Sequence, residues 1–171
     1  MKNIHLIIND LTKCWIGQPH LCKKIEQTFG DLVKGLPKYR TPGTPGVQIT
    51  KPLDPKVIVS PEDQSLYRSG VGMLLYLVKY SRPDIANPVR ELSKGMKEAT
   101  PSAMKELKRV LKFVIDTKDY GLKLEPKMGE KDTEWELLLY TDSDWAGDKD
   151  TRKSVTGYGL MLMDCPVMWK S

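Results

Sequence analysis

Little in this 171-residue chain could build a disulfide framework or a zinc site. Its three cysteines, Cys14, Cys22 and Cys165, are odd in number and form no Cys-x-x-Cys pair, whereas structural zinc takes four converging ligands. His20 and Cys22 flank a single residue and are the one tempting metal pair, with no fourth ligand in sight. Long apolar runs are missing too, since none approaches the roughly 20 residues of a membrane span. The opening Met1-Lys2-Asn3-Ile4-His5-Leu6-Ile7-Ile8 starts like a signal peptide, but Asn9 and Asp10 interrupt it before an apolar core develops. The expectation is an intracellular chain, cytoplasmic or nuclear and not secreted, with no membrane partner. Low-complexity repeats are absent as well.

What remains is ordinary globular composition, 40% hydrophobic and 29% charged, at a length that suits one compact domain or two small ones. The net charge of +5 hides an asymmetry. Residues 131–171 hold five basic and eight acidic side chains, −3, so residues 1–130 carry +8. A basic body joined to an acidic tip suits a nucleic-acid enzyme, the body meeting phosphates and the tip gathering metal. Ordinary surface charge is the competing reading.

Gln18-Pro19 reads as a helix start, and Leu21, Ile25 and Phe29 recur at four-residue spacing up to Gly30, where the helix is expected to end. Pro37, Pro42, Gly43, Pro45, Gly46, Pro52 and Pro55 then form an extended connector that cannot be helical. From Gln64 to Tyr80 apolar residues almost encircle a helix, the pattern of a buried or sandwiched one. Gly70 and Gly72 each weaken it by about 1 kcal/mol relative to alanine, which close backbone packing would offset. Ser81-Arg82-Pro83 breaks it. A helix then restarts with Asn87 as its cap and Pro88 in the first turn.

Thr100-Pro101 opens a cleaner helix to about Asp116, with Met104, Leu107, Val110, Leu111 and Val114 on the buried face. On its other face Lys105, Lys108, Arg109 and Lys112 lie at i, i+3, i+4 and i+7 and form one basic stripe. Such a stripe can track a phosphate backbone, each side chain replacing a condensed counterion. It can equally be a solvated helix face.

Tyr120–Leu124 alternates as a short strand, and after a polar turn strands fit Glu134–Asp142, Ser154–Met163 and Pro166–Lys170. Three consecutive strands with short connections read as an antiparallel meander. At the end of the first stand Asp142, Asp144, Asp148 and Asp150. As a calcium loop, Asp142, Asp144 and Gly147 fit positions 1, 3 and 6, but Ala146 falls at position 5 and Lys153 replaces the bidentate glutamate at 12. As a structural turn, the same aspartates can bond local backbone amides.

A third reading comes from a resemblance. Tyr67-Arg68-Ser69-Gly70-Val71-Gly72-Met73-Leu74-Leu75-Tyr76-Leu77, Ser81-Arg82-Pro83-Asp84-Ile85-Ala86 and Glu91-Leu92-Ser93 resemble the polyprotein of Ty1/copia-type retrotransposons. Lys108-Arg109-Val110-Leu111-Lys112-Phe113, Thr117-Lys118-Asp119-Tyr120-Gly121-Leu122 and Asp142-Ser143-Asp144-Trp145-Ala146-Gly147-Asp148 continue the match in order. Arg152-Lys153-Ser154-Val155-Thr156-Gly157-Tyr158 and Trp169-Lys170-Ser171 complete it, so that it covers about two thirds of the chain, from Ser60 on.

The resemblance implies an α/β chain in which residues 1–59 are a remnant of the reverse-transcriptase C-terminal region with a Pro/Gly-rich connector. Residues 60–125 would be a helical region like thumb and connection, and 133–171 the N-terminal part of a truncated RNase H-like domain, an incomplete three-stranded antiparallel meander. It places Asp142 at the family's first RNase H aspartate, a catalytic and metal-binding position using Mg²⁺ or Mn²⁺ in the intact parent. RNA/DNA hybrid and the rest of a Pol polyprotein are the implied partners. Departures matter as much. The polymerase's Tyr-x-Asp-Asp hairpin has no counterpart, because no Asp-Asp dipeptide occurs. The family's Ser-Ser-x-Glu-Ala-Glu helix would lie beyond Ser171, and Pro88 interrupts a helix the family usually keeps whole. A two-metal site needs several carboxylates around ions about 3.5–4 Å apart, so the expectation is a reverse transcriptase/RNase H fragment that is inactive alone. The alternatives are a non-catalytic nucleic-acid-binding module, with Tyr or Trp stacking on bases, or a degenerate transposon relic.

Overall fold

The computed structural model describes residues 5–10, 13–52, 54–127, 135–143, 147, 152 and 154–171. Among them the elements run β1 (His5–Asp10), β2 (Lys13–Gly17), α1 (Pro19–Val33), α2 (Pro61–Tyr80), α3 (Ala86–Ser93), α4 (Pro101–Asp116), β3 (Leu122–Leu124), β4 (Leu137–Ser143), β5 (Thr156–Leu162) and β6 (Cys165–Lys170). Short 3-10 turns occupy Pro55–Val57, Pro83–Ile85 and Lys94–Met96. Two antiparallel three-stranded sheets result, ordered β1-β2-β3 and β4-β5-β6.

The four helices make the core. Ile25 and Phe29 of α1, Tyr67, Val71, Leu74 and Leu77 of α2, Val89 and Leu92 of α3, and Leu107, Val110, Leu111 and Val114 of α4 are buried in one cluster. α4 matches its sequence pattern from cap to end: Thr100 accepts from the Ala103 N–H at 3.2 Å, and Pro101 occupies the first turn, where its missing N–H costs nothing. Ser60 caps α2 in the same way, accepting from Asp63 N–H at 3.1 Å.

Three expectations for the helices need correction. α1 does not stop at Gly30 but continues to Val33. Val33 lies four residues beyond Phe29 and is buried with it, and burying a valine outweighs the roughly 1 kcal/mol that a helical glycine costs. The left-handed stop comes at Gly35, φ +81°. α2 is not encircled, because Leu75 and Tyr76 are exposed. Its two glycines also differ: a Cβ at Gly70 would sit 3.2 Å from both Leu107 methyls, whereas at Gly72 it would meet open space. Close packing therefore accounts for Gly70 alone. Finally, α3 starts at Ala86 behind Ile85, which makes no side-chain cap, so Asn87 is inside the helix while Pro88 does occupy its first turn.

The proline-rich connector behaves as a strap. Glu106 of α4 accepts from the Thr44 hydroxyl at 2.9 Å and from its N–H at 3.4 Å, and Glu91 of α3 accepts from the N–H of buried Ile49 at 3.2 Å. The strap thereby covers α3 and α4.

In the second sheet Asp142 pairs with Gly157 and Leu139 with Leu160, and β6 follows β5 after Met163 and Asp164, both with positive φ (51° and 64°). Two consecutive left-handed residues give the tight turn whose twist suits a hairpin. Asn-Gly is its usual sequence signal, which explains why the strand was expected to run through Met163. Trp169 ties this sheet to the helices, donating its indole N–H to the Val78 carbonyl at 2.7 Å. That carbonyl is one of the four left unbonded at the end of α2.

Candidate functional site

Asp142 stands next to last in β4, with its side chain exposed. Strand alternation gives it the face of Leu138 and Tyr140, which is also the face of Trp169 through the register Tyr140–Gly159–Trp169. It lines a cleft of about 460 Å³ with Gln48 of the strap, Asn87, Arg90 and Glu91 of α3, and Gly157. Gln48 fixes the far lip, donating to the Gly147 carbonyl at 2.9 Å.

The cleft holds a second carboxylate, but it is committed. Glu91 bonds Ile49 N–H and pairs with Arg90 at 2.7 Å and Lys94 at 3.0 Å. Among the described residues no three His, Cys, Asp or Glu side chains gather as a metal would require. The described donors around Asp142 therefore do not by themselves fit a pair of Mg²⁺ or Mn²⁺ ions, which needs several converging carboxylates. Asp144, Asp148 and Asp150, with Ala146 and Lys153 of the calcium-loop reading, lie outside the described residues. His20 and Cys22 gather no further ligands among the described residues. Cys22 is buried, and loss of solvent raises its thiol pKa, against partial opposition from the charge of Arg82.

The basic stripe of α4 divides into two pairs. Lys112 bonds Asp116 at 2.6 Å, one turn on, with both side chains largely buried. Arg109 stacks 4.3 Å from the Tyr39 ring centroid and donates to the Thr41 carbonyl at 3.2 Å and hydroxyl at 3.1 Å. It holds the strap down. Lys105 and Lys108 instead edge a groove of about 400 Å³ floored by Leu36, Val59 and Met104, with Tyr39 at its side.

The sequence reading missed Arg82, whose signal was visible only as a helix break. Its side chain is 2% exposed, and its guanidinium forks onto both oxygens of Asp84, at 2.9 and 2.8 Å. It also donates to the Thr117 carbonyl at 3.0 Å and hydroxyl at 2.9 Å, and lies 5.7 and 5.5 Å from the rings of Phe113 and Tyr120. One side chain thus joins the start of α3, the end of α4 and the approach to β3. Gln48, which grips Gly147, was likewise not singled out.

The sequence is similar to several known proteins. It is 38% identical over 105 residues, 61% of its length, to the secreted RxLR effector protein 161 of Plasmopara viticola, covering 70% of that protein. It is 38% identical over 109 residues, 64% of its length, to the retrovirus-related Pol polyprotein from transposon RE1 of Arabidopsis thaliana. Similarity to the retrovirus-related Pol polyprotein from transposon TNT 1-94 of Nicotiana tabacum is 28% over 161 residues, 93% of this chain. The chain spans only 7% and 12% of those two polyproteins. No family model matches it, and no solved structure does. No helix among the described residues is long and apolar enough to cross a membrane.

Proposed function

We propose that this chain, a member of the Ty1/copia-type retrotransposon Pol family, is the stretch joining the reverse-transcriptase palm to the RNase H domain of such a polyprotein. The parent would copy RNA into DNA and cut the RNA of the hybrid. This stretch would contribute the opening strands of the RNase H unit and no complete catalytic centre. The observation that supports the reading is the position of Asp142, exposed at the tip of the first strand of an antiparallel meander and aimed into a cleft. A strand end is rigid, so it can deliver one carboxylate to a fixed place. With Glu91 engaged by two cations, Asp142 has no second free acid beside it among the described residues. The direct test is the reading frame on both sides of the coding segment. A Tyr-x-Asp-Asp codon run upstream and Glu-Ala-Glu downstream, both in frame, are expected; their absence over a polyprotein's length would leave a relic.

A second reading, nucleic-acid binding without catalysis, is favoured by Lys105 and Lys108. Both lysines line an apolar groove that Tyr39 also lines, a pairing that suits a backbone phosphate and a stacked base. Binding should be weak and indifferent to sequence. Changing both lysines to glutamine should lower the slope of log affinity against log salt by roughly 1.4–1.8, from about 0.7–0.9 per phosphate contact. Lys112→Gln should leave the slope nearly unchanged, because Asp116 already neutralises that charge. Fluorescence anisotropy over a salt series reads both, and an unchanged slope in the double variant would leave the lysines as surface charge only.

A further inference from the structure

We propose that Thr41 is a phosphorylation site, a substrate for a proline-directed protein kinase, and that Arg109 is the receptor through which the added phosphate locks the strap onto α4. Four hydroxyl side chains directly precede a proline in the chain: Thr41, Thr44, Ser60 and Thr100. Three of them are engaged. Ser60 and Thr100 cap α2 and α4, so the residues after them are helical, whereas a kinase cleft takes its substrate extended. Thr44 is half-buried and donates its hydroxyl to Glu106 at 2.9 Å. Thr41 is left. Its side chain is exposed in a segment with neither helix nor strand, and its hydroxyl donates to the Gly43 carbonyl two residues on, at 3.2 Å. Pro42 biases it away from helical backbone.

The receptor is half made. Arg109 Nη2 donates to the Thr41 hydroxyl oxygen at 3.1 Å and to its carbonyl at 3.2 Å, while Nε of the same guanidinium is buried with no hydrogen-bond partner. Nε and Nη2 form one edge of the group, and Arg82 uses that edge to fork onto the two oxygens of Asp84. On Arg109 one half of the edge is engaged and the other idle, beside the oxygen that would carry the phosphate. Tyr39, whose ring centroid lies 4.3 Å from the guanidinium carbon, fixes the plane. In the transfer Thr41 Oγ attacks the γ-phosphorus of a nucleoside triphosphate held by the kinase. The Oγ–P bond forms as the bond to the β,γ-bridging oxygen breaks, nucleoside diphosphate leaves, and the hydroxyl proton passes to a carboxylate of the kinase. The product carries a charge of about −1.5 to −2 and three acceptor oxygens, the geometry an arginine fork binds best. Phosphate on Thr44 would act in the opposite sense, because it would face the Glu106 carboxylate that holds the strap there.

The acceptor is tested by incubating the intact chain with a proline-directed serine/threonine kinase and Mg-ATP and mapping the product by tandem mass spectrometry. Thr41 should be the main acceptor, Thr41→Ala should lose most of the incorporation, and Thr44→Ala should keep it. No phosphate on Thr41, or a preference for Thr44, overturns the assignment. The lock is tested separately, on a chain assembled by ligation with phosphothreonine at position 41. Phosphorus NMR should place its second ionisation about one unit below that of a phosphothreonine peptide, as a cation within hydrogen-bond reach requires. Arg109→Gln should return it to the peptide value, and Arg109→Lys, which keeps the charge and loses the fork, should retain at most half of the lowering. The Val47 and Ile49 amides, bonded to the Thr44 carbonyl and to Glu91, should exchange about fivefold more slowly once the phosphate adds its charge-assisted bonds. A peptide-like ionisation in the wild type, or exchange that does not slow, overturns the lock.

Discussion

Arg82→Ala should lower the free energy of unfolding by about 3 kcal/mol, within the range for removing one partner of a buried ion pair. The estimate sits at the lower end because Asp84 keeps 40% of its side chain in water and so retains solvation when the guanidinium leaves. Most of the loss comes from Thr117, whose carbonyl and hydroxyl both lose their charged donor, and from the space opened beside Phe113 and Tyr120. Arg82→Lys should recover less than half of the loss, because an ammonium cannot fork onto a carboxylate and reach a carbonyl behind it. Asp84→Asn should cost only about 1 kcal/mol, as expected of a half-solvated partner. Urea titration by circular dichroism separates the three, provided the slope m stays constant. An Arg82→Ala loss under about 1 kcal/mol would mean that the guanidinium's bonds only balance its desolvation.

The same residue shows where sequence reasoning reaches and where it ends. Arg82 precedes a proline, which marks a boundary in the sequence, and α2 does end just before it, at Tyr80. Its partners on Thr117, Phe113 and Tyr120 lie more than 30 residues away, and no period reports them. α4 was legible because everything that defines it is local: a Thr-Pro start, a 3.6-residue apolar repeat and polar residues between. The first sheet was not. β1 falls where the chain reads as a weak signal peptide, and β2 gains its second neighbour from Leu122–Leu124, over a hundred residues on. Trp15 also needs Gly17 and Gly121 to lie beneath its indole, where any side chain would collide, and the spacing of two distant glycines carries no hint of that.

The candidate site divides along the same line. Asp142 at a strand tip was legible from the run of leucines before it and the acidic turn after. Helical spacing correctly put Lys105, Lys108, Arg109 and Lys112 on one side of α4, yet it could not tell which charges were spoken for. Lys112–Asp116 was within reach, being an i,i+4 pair. Arg109 was not, since its contacts with Tyr39 and Thr41 depend on how the strap folds back. The Gln48 amide that holds Gly147 spans 99 residues and belongs to the same class.

The 171-residue polypeptide should neither extend a primer nor cut the RNA of an RNA/DNA hybrid. Extension depends on paired aspartates that hold metal at the primer end, and the chain contains no Asp-Asp dipeptide. Hybrid cleavage by two ions depends on several acids acting together, because positioned charge supplies most of the rate enhancement. Among the described acidic side chains Asp142 has Glu91 alone beside it in the cleft, and Glu91 already serves Ile49, Arg90 and Lys94. Losing most of a ligand set removes activity rather than lowering it, so Asp142→Asn should change nothing in the isolated chain. The deciding measurement is a hybrid-cleavage time course in Mg²⁺ and in Mn²⁺, run in parallel on the wild type and on Asp142→Asn. Background-level cleavage in both is the expected result. Metal-dependent cleavage by the wild type that disappears in Asp142→Asn would contradict the account, and would mean that a working carboxylate set forms around Asp142 after all.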